Sequence, residues 1–159
     1  MDRAAAAARY RELPLPSTSE ESWRFTDLKG FDPEAFAANG RVAAQVGAPP
    51  AGLLDIDVAG VATVGEGGIA IERAPEGIRF EPLSEHEPLL GTLVGADDKF
   101  TAHNAACWQN GLLVRVPRGV VLERPLYVRV VNTLESGALF WRLLVVAEEG
   151  SRFSLIEEY

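Results

Sequence analysis

The C-terminal third of the chain repeats an apolar, strand-like segment at an almost constant spacing, and no other feature constrains the fold as strongly. The segments begin near Leu112, Leu126, Leu139 and Phe153, so that their starts are almost evenly spaced. Glycine and proline residues separate them, and both residue types interrupt strands and favour turns. A fixed period of this kind is typical of a β-solenoid or of a β-meander.

The third segment, residues 139–146, helps to choose between these folds. Its side chains are apolar on both faces of the predicted strand, apart from Arg142. Strands with two apolar faces are covered on both sides, which favours stacked parallel strands. If two strands make one coil, a coil contains about 27 residues, a period within the range that repeat proteins use. The first segment then stacks under the third and the second under the fourth. The spacing by itself supports an antiparallel sheet equally well.

The residues before this repeat are of mixed character. Helix signals occur at the alanine-rich residues 2–12, from Asp32-Pro33 to a stop at Gly40, at residues 86–95, and at residues 98–108 with Asp97 or Asp98 as the cap. Short strands are predicted within residues 51–81. The sequence therefore predicts an α+β protein with two parts. Residues 1–108 form an N-terminal mixed helical region with short strands, and residues 109–159 start a β-helix core.

The composition limits the classes of function. The chain has 159 residues, 47% of them apolar, and a formal net charge of −8 at pH 7. These values are typical of a soluble globular protein, and the acidic balance argues against nucleic-acid binding, which needs clustered positive charge. No apolar run is long enough to span a membrane. No secretory signal is recognisable at the N-terminus, so we expect a cytoplasmic protein.

Few side chains offer catalytic or metal-binding chemistry. Cys107 is the only cysteine, which excludes an internal disulfide, and His86 and His103 are the only histidines. His103 and Cys107 lie four residues apart on a predicted helix, but two ligands leave a metal site half empty. We interpret Cys107 as a small buried hydrophobe beside a partly exposed His103. We therefore expect no catalytic, cofactor-binding or metal-binding residue in this chain.

Two other classes of protein stay open. A metal-dependent, cupin-like β-barrel enzyme would use His86 and His103 as ligands. A β-solenoid binding module for polysaccharide would expose rows of aromatic side chains, for which Trp141 and Tyr127 are the candidates. Trp23, Trp108 and Trp141 are otherwise expected to pack in the core, since each buries a large area.

Two parts of the sequence together resemble the SufB/SufD family, the scaffold proteins of iron–sulfur cluster assembly. The first part is Leu15–Leu28, whose stretch Trp-Arg-Phe-Thr-Asp-Leu from Trp23 onward is similar to SufD in particular. The second part comprises Asp98–Ala106, Asn110-Gly111, Val116–Val120, Glu123–Leu126, and Ala147–Ser151 leading into Ile156-Glu157. This part is shared by both members of the family.

The resemblance implies a fold and a role. Family members have a helical N-terminal region, a right-handed parallel β-helix and a C-terminal helical region, so this chain would be truncated and hold only the first coils. They act in a complex in which a SufB–SufD pair, with the SufC ATPase subunit, builds a nascent cluster. The cysteine and histidine linked to the cluster lie in later coils, so no family site residue transfers to this chain. We therefore expect a SufD-like, non-catalytic scaffold that binds no cofactor in this segment and has SufB-like and SufC-like partners.

The end of the chain fits the same expectation. The last predicted strand runs to Tyr159 without a cap, and a solenoid needs a cap over its terminal coil. We therefore expect these residues to be the front of a longer protein.

Overall fold

A computed structural model describes residues 2–35, 37–38, 54–133 and 137–159. The helices in these ranges are α1 (Arg3–Glu12) and α2 (Lys99–Cys107), and single 3₁₀ turns lie at Glu21–Trp23 and Pro33–Ala35. The strands are β1 (Ala37–Ala38), β2 (Gly60–Gly65), β3 (Gly68–Arg73), β4 (Arg79–Pro82), β5 (Asn110–Val116), β6 (Leu126–Val131), β7 (Gly137–Ala138), β8 (Trp141–Ala147) and β9 (Leu155–Glu158).

Both helices begin at an aspartate that caps their first turn. The Asp2 carboxylate accepts hydrogen bonds from two backbone amides of α1, at 2.9 and 3.3 Å. The Asp98 carboxylate accepts from two amides of α2 at 2.8 and 3.0 Å, and the Thr101 hydroxyl accepts from the Asp98 amide at 3.1 Å. Such caps satisfy amides that have no partner within the helix. The helices predicted at 2–12 and 98–108 are confirmed.

The helix predicted at 86–95 is wrong, because this segment forms a series of turns. Amides of Glu87, Leu90 and Thr92 each donate to the carbonyl three residues earlier, at 3.0–3.2 Å. Pro88 has no amide hydrogen to donate, and Gly91 has a φ of 81°, a left-handed conformation that ends helices. These two residues prevent the turns from joining into a helix.

The helix predicted from Asp32-Pro33 is also much shorter than expected. The Asp32 carboxylate accepts from the amide of Glu34 at 2.9 Å, as an N-cap does, but only the 3₁₀ turn Pro33–Ala35 follows. Its predicted stop at Gly40 lies outside the described residues. The short strands predicted within 51–81 are confirmed in the described part of that range by β2 and β3.

The described strands form two main sheets and one small pair. The order is β3-β2-β6-β9 in the first sheet and β4-β5-β8 in the second, while β1 pairs with β7. β2, β6 and β9 are parallel to one another, and β5 is parallel to β8. β3 and β4 run antiparallel to their neighbours. Strands from before and after residue 108 therefore share both main sheets.

The four strands of the C-terminal repeat stack in parallel pairs. β8 lies on β5 with Leu143 opposite Leu112, and β9 lies on β6 with Leu155 opposite Leu126. The first segment thus pairs with the third and the second with the fourth, as the spacing predicted, and the antiparallel alternative is wrong for these strands. In both pairs the offset along the chain is somewhat longer than the predicted coil. The reason is that β8 and β9 begin after their predicted starts, whereas β5 begins before its own.

The turns between the strands stack as well. Pro117–Val120 and Glu148–Ser151 each close a turn in which the last amide donates to the first carbonyl, at 3.2 and 3.0 Å. Gly119 and Gly150 both have a φ of 72°, which glycine adopts at no steric cost. The Gly119 amide donates to the carbonyl of Glu149 at 3.1 Å. The two turns therefore follow each other at the same offset along the chain as the paired residues of β5 and β8.

The main core lies between the two sheets, and a second cluster lies outside it. The fully buried side chains of the main core come from β2, β5 and β6, and include Val64, Leu112, Val114, Val116, Leu126 and Val128. On the opposite face of β5, Leu113 packs with Leu83 and with Trp108, which caps the C-terminal end of α2. α1 packs against α2 in turn. Both faces of β5 are therefore covered, one by the other sheet and one by the helical layer.

Gly111 of β5 lies close to Leu83 and Arg142 on either side of it, so Gly111→Ala should destabilise the fold. A methyl group there would lie 2.8 Å from two carbons of the Leu83 side chain and 3.1 Å from the carbonyl oxygen of Arg142. We expect a loss of about 1–3 kcal/mol in the free energy of unfolding, measured by urea denaturation, because overpacked sites must shift their neighbours.

Gly65→Ala is the matched control in a strand. Its added methyl group would meet only the Val131 carbonyl at 3.4 Å, an ordinary contact distance. We expect the control to stay within about 0.5 kcal/mol of the parent chain. Equal stabilities for the two variants would contradict this account of the packing.

Candidate docking edge

β8 is one of the two edge strands of its sheet in the described part of the chain, and the core is less covered along it than along β5. The side chains of Trp141 and Leu143, which face the core, are only half-buried, and Val145 is 41% exposed. On the neighbouring strand β5, the paired residues Leu112 and Val114 are completely buried. Apolar side chains of the same kind are therefore covered on β5 and uncovered on β8.

A cavity of about 640 Å³ runs along this strand. Its lining includes the five consecutive residues Trp141–Val145, three residues of α2 and the turn segment 89–94, and we call it the edge groove. Neighbouring residues of a strand point to opposite faces of the sheet. The cavity contacts five consecutive residues of β8, which is an edge strand of its sheet within the described residues.

Asn104 of α2 fixes one wall of the edge groove to the strand. Its side-chain amide nitrogen donates to the carbonyl oxygen of Trp141 at 3.1 Å, and its amide oxygen accepts from Nε of Arg142 at 2.7 Å. The side chain thus satisfies one backbone group and one guanidinium group of β8 together. These two hydrogen bonds hold α2 beside the first residues of β8, and the rest of the strand edge stays uncovered.

Arg142 brings a positive charge into a groove whose other lining residues are uncharged. Burial lowers the pKa of its guanidinium, and the nearby charge of Arg3 lowers it further. The guanidinium carbons of Arg3 and Arg142 lie 4.9 and 5.8 Å from the centre of the Trp108 ring. Both guanidinium groups are therefore attracted to the negative face of the Trp108 ring. The ring has no net charge, so it does not neutralise them.

His103 is a packing residue at the centre of the helical layer. Its ring stacks on Tyr10 of α1, with centroids 4.2 Å apart, and lies 4.5 Å from the ring of Phe140. Burial lowers the pKa of its imidazole, Glu34 opposes this shift, and Lys99 adds to it. The neutral form is therefore the one that the fold accommodates.

Of the three residues that the sequence singled out for metal chemistry, the structure keeps His103 and Cys107 four residues apart on α2 and places His86 outside the helix. His103 is buried and Cys107 is half-buried, which reverses the expectation of a buried cysteine beside a partly exposed histidine. Burial raises the pKa of the Cys107 thiol, so the nucleophilic thiolate is disfavoured. His86 lies on an exposed turn rather than on a helix. In the described ranges, no three histidine, cysteine or acidic side chains are grouped to hold a metal ion.

The aromatic residues also differ from one another in their surroundings. Trp108 is buried as predicted, whereas Trp23 and Trp141 are half-buried, the latter in the edge groove. Tyr127 is 5% exposed and its hydroxyl donates to Glu158. The exposed aromatic row that a polysaccharide-binding module would need from Trp141 and Tyr127 is therefore not formed.

The two sequence parts that carry the family resemblance meet in the fold. The rings of Trp23 and Phe100 stack with centroids 5.3 Å apart, and Phe31 lies 6.1 Å from the same Phe100 ring. Phe25, in the same stretch as Trp23, is 87% exposed. The first part thus packs on α2 and extends the helical layer. Among the helices that the structure describes, none has the length and apolar character to cross a bilayer.

Several curated proteins are similar in sequence to part of this chain. The chain is 30% identical over 92 residues to an iron–sulfur cluster assembly SufBD family protein of Staphylococcus epidermidis, which is 58% of this chain and 20% of the relative. It is 36% identical over 80 residues to a SufBD family protein of Mycobacterium tuberculosis, which is 47% of this chain and 10% of the relative. A SufBD family protein of Staphylococcus saprophyticus shows the same identity over 80 residues, or 17% of its length.

These relatives share one class, the proteins named for iron–sulfur cluster assembly. More particularly, they confirm the resemblance of this chain to the SufB/SufD family, without distinguishing SufD from SufB. The matched part of the chain spans a fifth or less of each of these relatives. No family model matches the chain.

The buried His103 should make the stability of the fold sensitive to acid. Its folded-state pKa lies below the ordinary value, so the unfolded state takes up a proton first as the pH falls below about 6.5, and the free energy of unfolding decreases. His103→Leu should remove this part of the decrease, as measured by urea denaturation at neutral and mildly acidic pH.

His86→Gln is the control for this prediction, because His86 is exposed. It should keep the acid sensitivity of the parent chain. The same pH dependence in His103→Leu as in the parent chain would show that His103 does not contribute.

Proposed function

We propose that this chain acts in iron–sulfur cluster assembly as a SufD-like, non-catalytic scaffold. The similarity to SufBD family proteins carries the proposal. The stretch from Trp23 to Leu28 favours SufD over SufB as the parent. The buried His103 and the half-buried Cys107, whose thiol pKa is raised, give no support to catalysis by this segment.

We propose further that the stacked strands are coils of a right-handed parallel β-helix. Two features support this fold: the parallel pairs β5–β8 and β6–β9, and the glycine turns that stack between them. In such a coil each pass of the chain adds to the two sheets at their open edges.

The physical task of the scaffold is to hold a sister subunit in a fixed position. Rigid strands position neighbouring groups better than loops do, so metal-binding side chains of two chains could meet at one interface. The proposed partners are a SufB-like sister subunit and a SufC-like ATPase subunit in a cytoplasmic complex. The nascent cluster is the cargo of the whole complex, and this segment holds none of its ligands.

Co-purification tests the proposed partnership. The tagged chain, expressed together with a SufB-like subunit, should retain that subunit through size-exclusion chromatography as one complex. Expressed with the SufC-like ATPase alone, it should retain nothing, because the family resemblance assigns ATPase docking to a C-terminal helical region outside the matched segment. Failure to retain the SufB-like subunit would count against the scaffold role.

Reconstitution tests the absence of a cluster site. After anaerobic incubation with iron and sulfide and removal of excess reagents, the chain should show no absorption in the visible range that belongs to a bound cluster. The same treatment of Cys107→Ala provides the comparison. A stable cluster spectrum in the parent chain that disappears in Cys107→Ala would overturn the proposal that this segment binds no cofactor.

A further inference from the structure

The helix α1 is attached to the rest of the fold mainly along one side. Two of its residues, Ala6 and Tyr10, are buried, and it packs on α2. Cavities of about 490 and 310 Å³ lie beside it, and residues of α1 and of the segment 85–97 line both of them. The flank of α1 that faces this segment is therefore loosely packed. Among the described helices and strands, α2 is its main support.

A helix as short as α1 needs this support in order to stay folded. It has 10 residues, and isolated helices shorter than about 12–15 residues are marginal in water even when they are rich in alanine. Arg3 also places a positive charge in the first turn, where the helix dipole disfavours it. Docking and helix formation are therefore coupled, so that a detached α1 would lose its backbone hydrogen bonds.

Three contacts hold the docked helix on α2. Arg3 donates to the carbonyl oxygen of Trp108, and its guanidinium lies over the Trp108 ring. The Lys99 ammonium donates to the carbonyl oxygen of Tyr10 at 2.8 Å and lies 3.8 Å from the centre of the Tyr10 ring. Between these two ends, the Tyr10 ring stacks on the imidazole of His103. The two helices thus run antiparallel, with a cation at each end of the contact and an imidazole between them.

The imidazole of His103 is the group in this contact whose ordinary titration lies nearest to neutral pH. Burial lowers its pKa, Glu34 opposes this shift, and Lys99 adds to it. Burial raises the pKa of the Tyr10 phenol and of the Cys107 thiol, one turn further along α2, so both stay uncharged there. The docked helix therefore disfavours a proton that a released imidazole would accept, and docking weakens as the pH falls below about 6.5.

We propose that α1 is a detachable strap, which leaves α2 and unfolds while both main sheets stay folded, and which is released when His103 takes up a proton. The sheets can stay folded because the fully buried side chains of the main core come from β2, β5 and β6. Release would uncover the face of α2 that carries His103. The strap is thus an element with two states, docked and unfolded.

Hydrogen exchange on the intact chain, followed by peptide mass spectrometry, tests the strap. At neutral pH we expect the amides of α1 to be about tenfold or more less protected than those of β5, because local opening needs less free energy than global unfolding. Corrected for the intrinsic exchange rate at each pH, the protection of α1 should fall severalfold between neutral and mildly acidic pH. Urea below the unfolding transition should change it little, since a local opening exposes little surface.

Variants assign the release to the contacts described. His103→Phe keeps a ring on Tyr10 but binds no proton, so the protection of α1 should no longer depend on pH. His86 is the other histidine near α1, and His86→Gln should keep the pH dependence of the parent chain. Arg3→Gln should lower the protection of α1 about tenfold at both pH values, the loss expected of a charge-assisted hydrogen bond. Arg11→Gln is its control, because Arg11 is exposed on the same helix.

The outcomes decide separately on the strap and on its proton. Equal protection of α1 and β5 would mean that α1 opens only with the whole fold, which overturns the strap. Protection of α1 that is the same at both pH values in the parent chain overturns the role of His103, whether or not His103→Phe folds. A pH dependence that His103→Phe retains overturns it as well. Weaker protection of α1 than of β5, with a pH dependence that only His103→Phe removes, supports both.

Discussion

Backbone hydrogen bonds between parallel passes of the chain determine the position of every other part of the structure. They keep Leu143 on Leu112 and Leu155 on Leu126, so that apolar side chains of successive passes lie on the same face. A shift by one residue would turn these side chains to the opposite face. The register therefore defines the main core, the second cluster around Leu113 and the alignment of the stacked turns at the same time.

The position of the helical layer depends on that register. Trp108 covers the outer face of β5, and Asn104 forms hydrogen bonds with the first residues of β8.

Arg129 shows how the other sheet accommodates a buried charge. Burial acts to raise the pKa of its partner Glu72, but the hydrogen bonds from Arg129 and Thr63 outweigh this and hold the pKa below the usual value. β8 has no such acidic neighbour among the described residues, which makes its edge electrostatically distinct.

The pairing of the repeat strands could be predicted from the sequence, but the groove along β8 could not. Spacing and two-sided apolar character were enough to pair the first segment with the third, because register follows from which residues are apolar. Local propensity failed at 86–95, where Pro88 and Gly91 favour turns although the flanking residues are compatible with a helix. The edge groove combines the turn segment 89–94, α2 and β8, which are distant in the chain. The sequence showed Arg142 as the polar residue on an otherwise apolar strand. That it bonds to Asn104 could not be predicted, because only the tertiary structure brings these two distant residues together.

The stacked glycine turns have a consequence for how a protein of this kind changes in length. Gly150 follows Gly119 at the same separation along the chain that Leu143 has from Leu112. Duplicating or deleting one such unit inside the repeat would leave every neighbouring rung with an equivalent partner. In the proposed β-helix, whole units can therefore be added or removed with strand still stacked on strand and turn on turn, whereas an insertion of half a unit would set strands against turns.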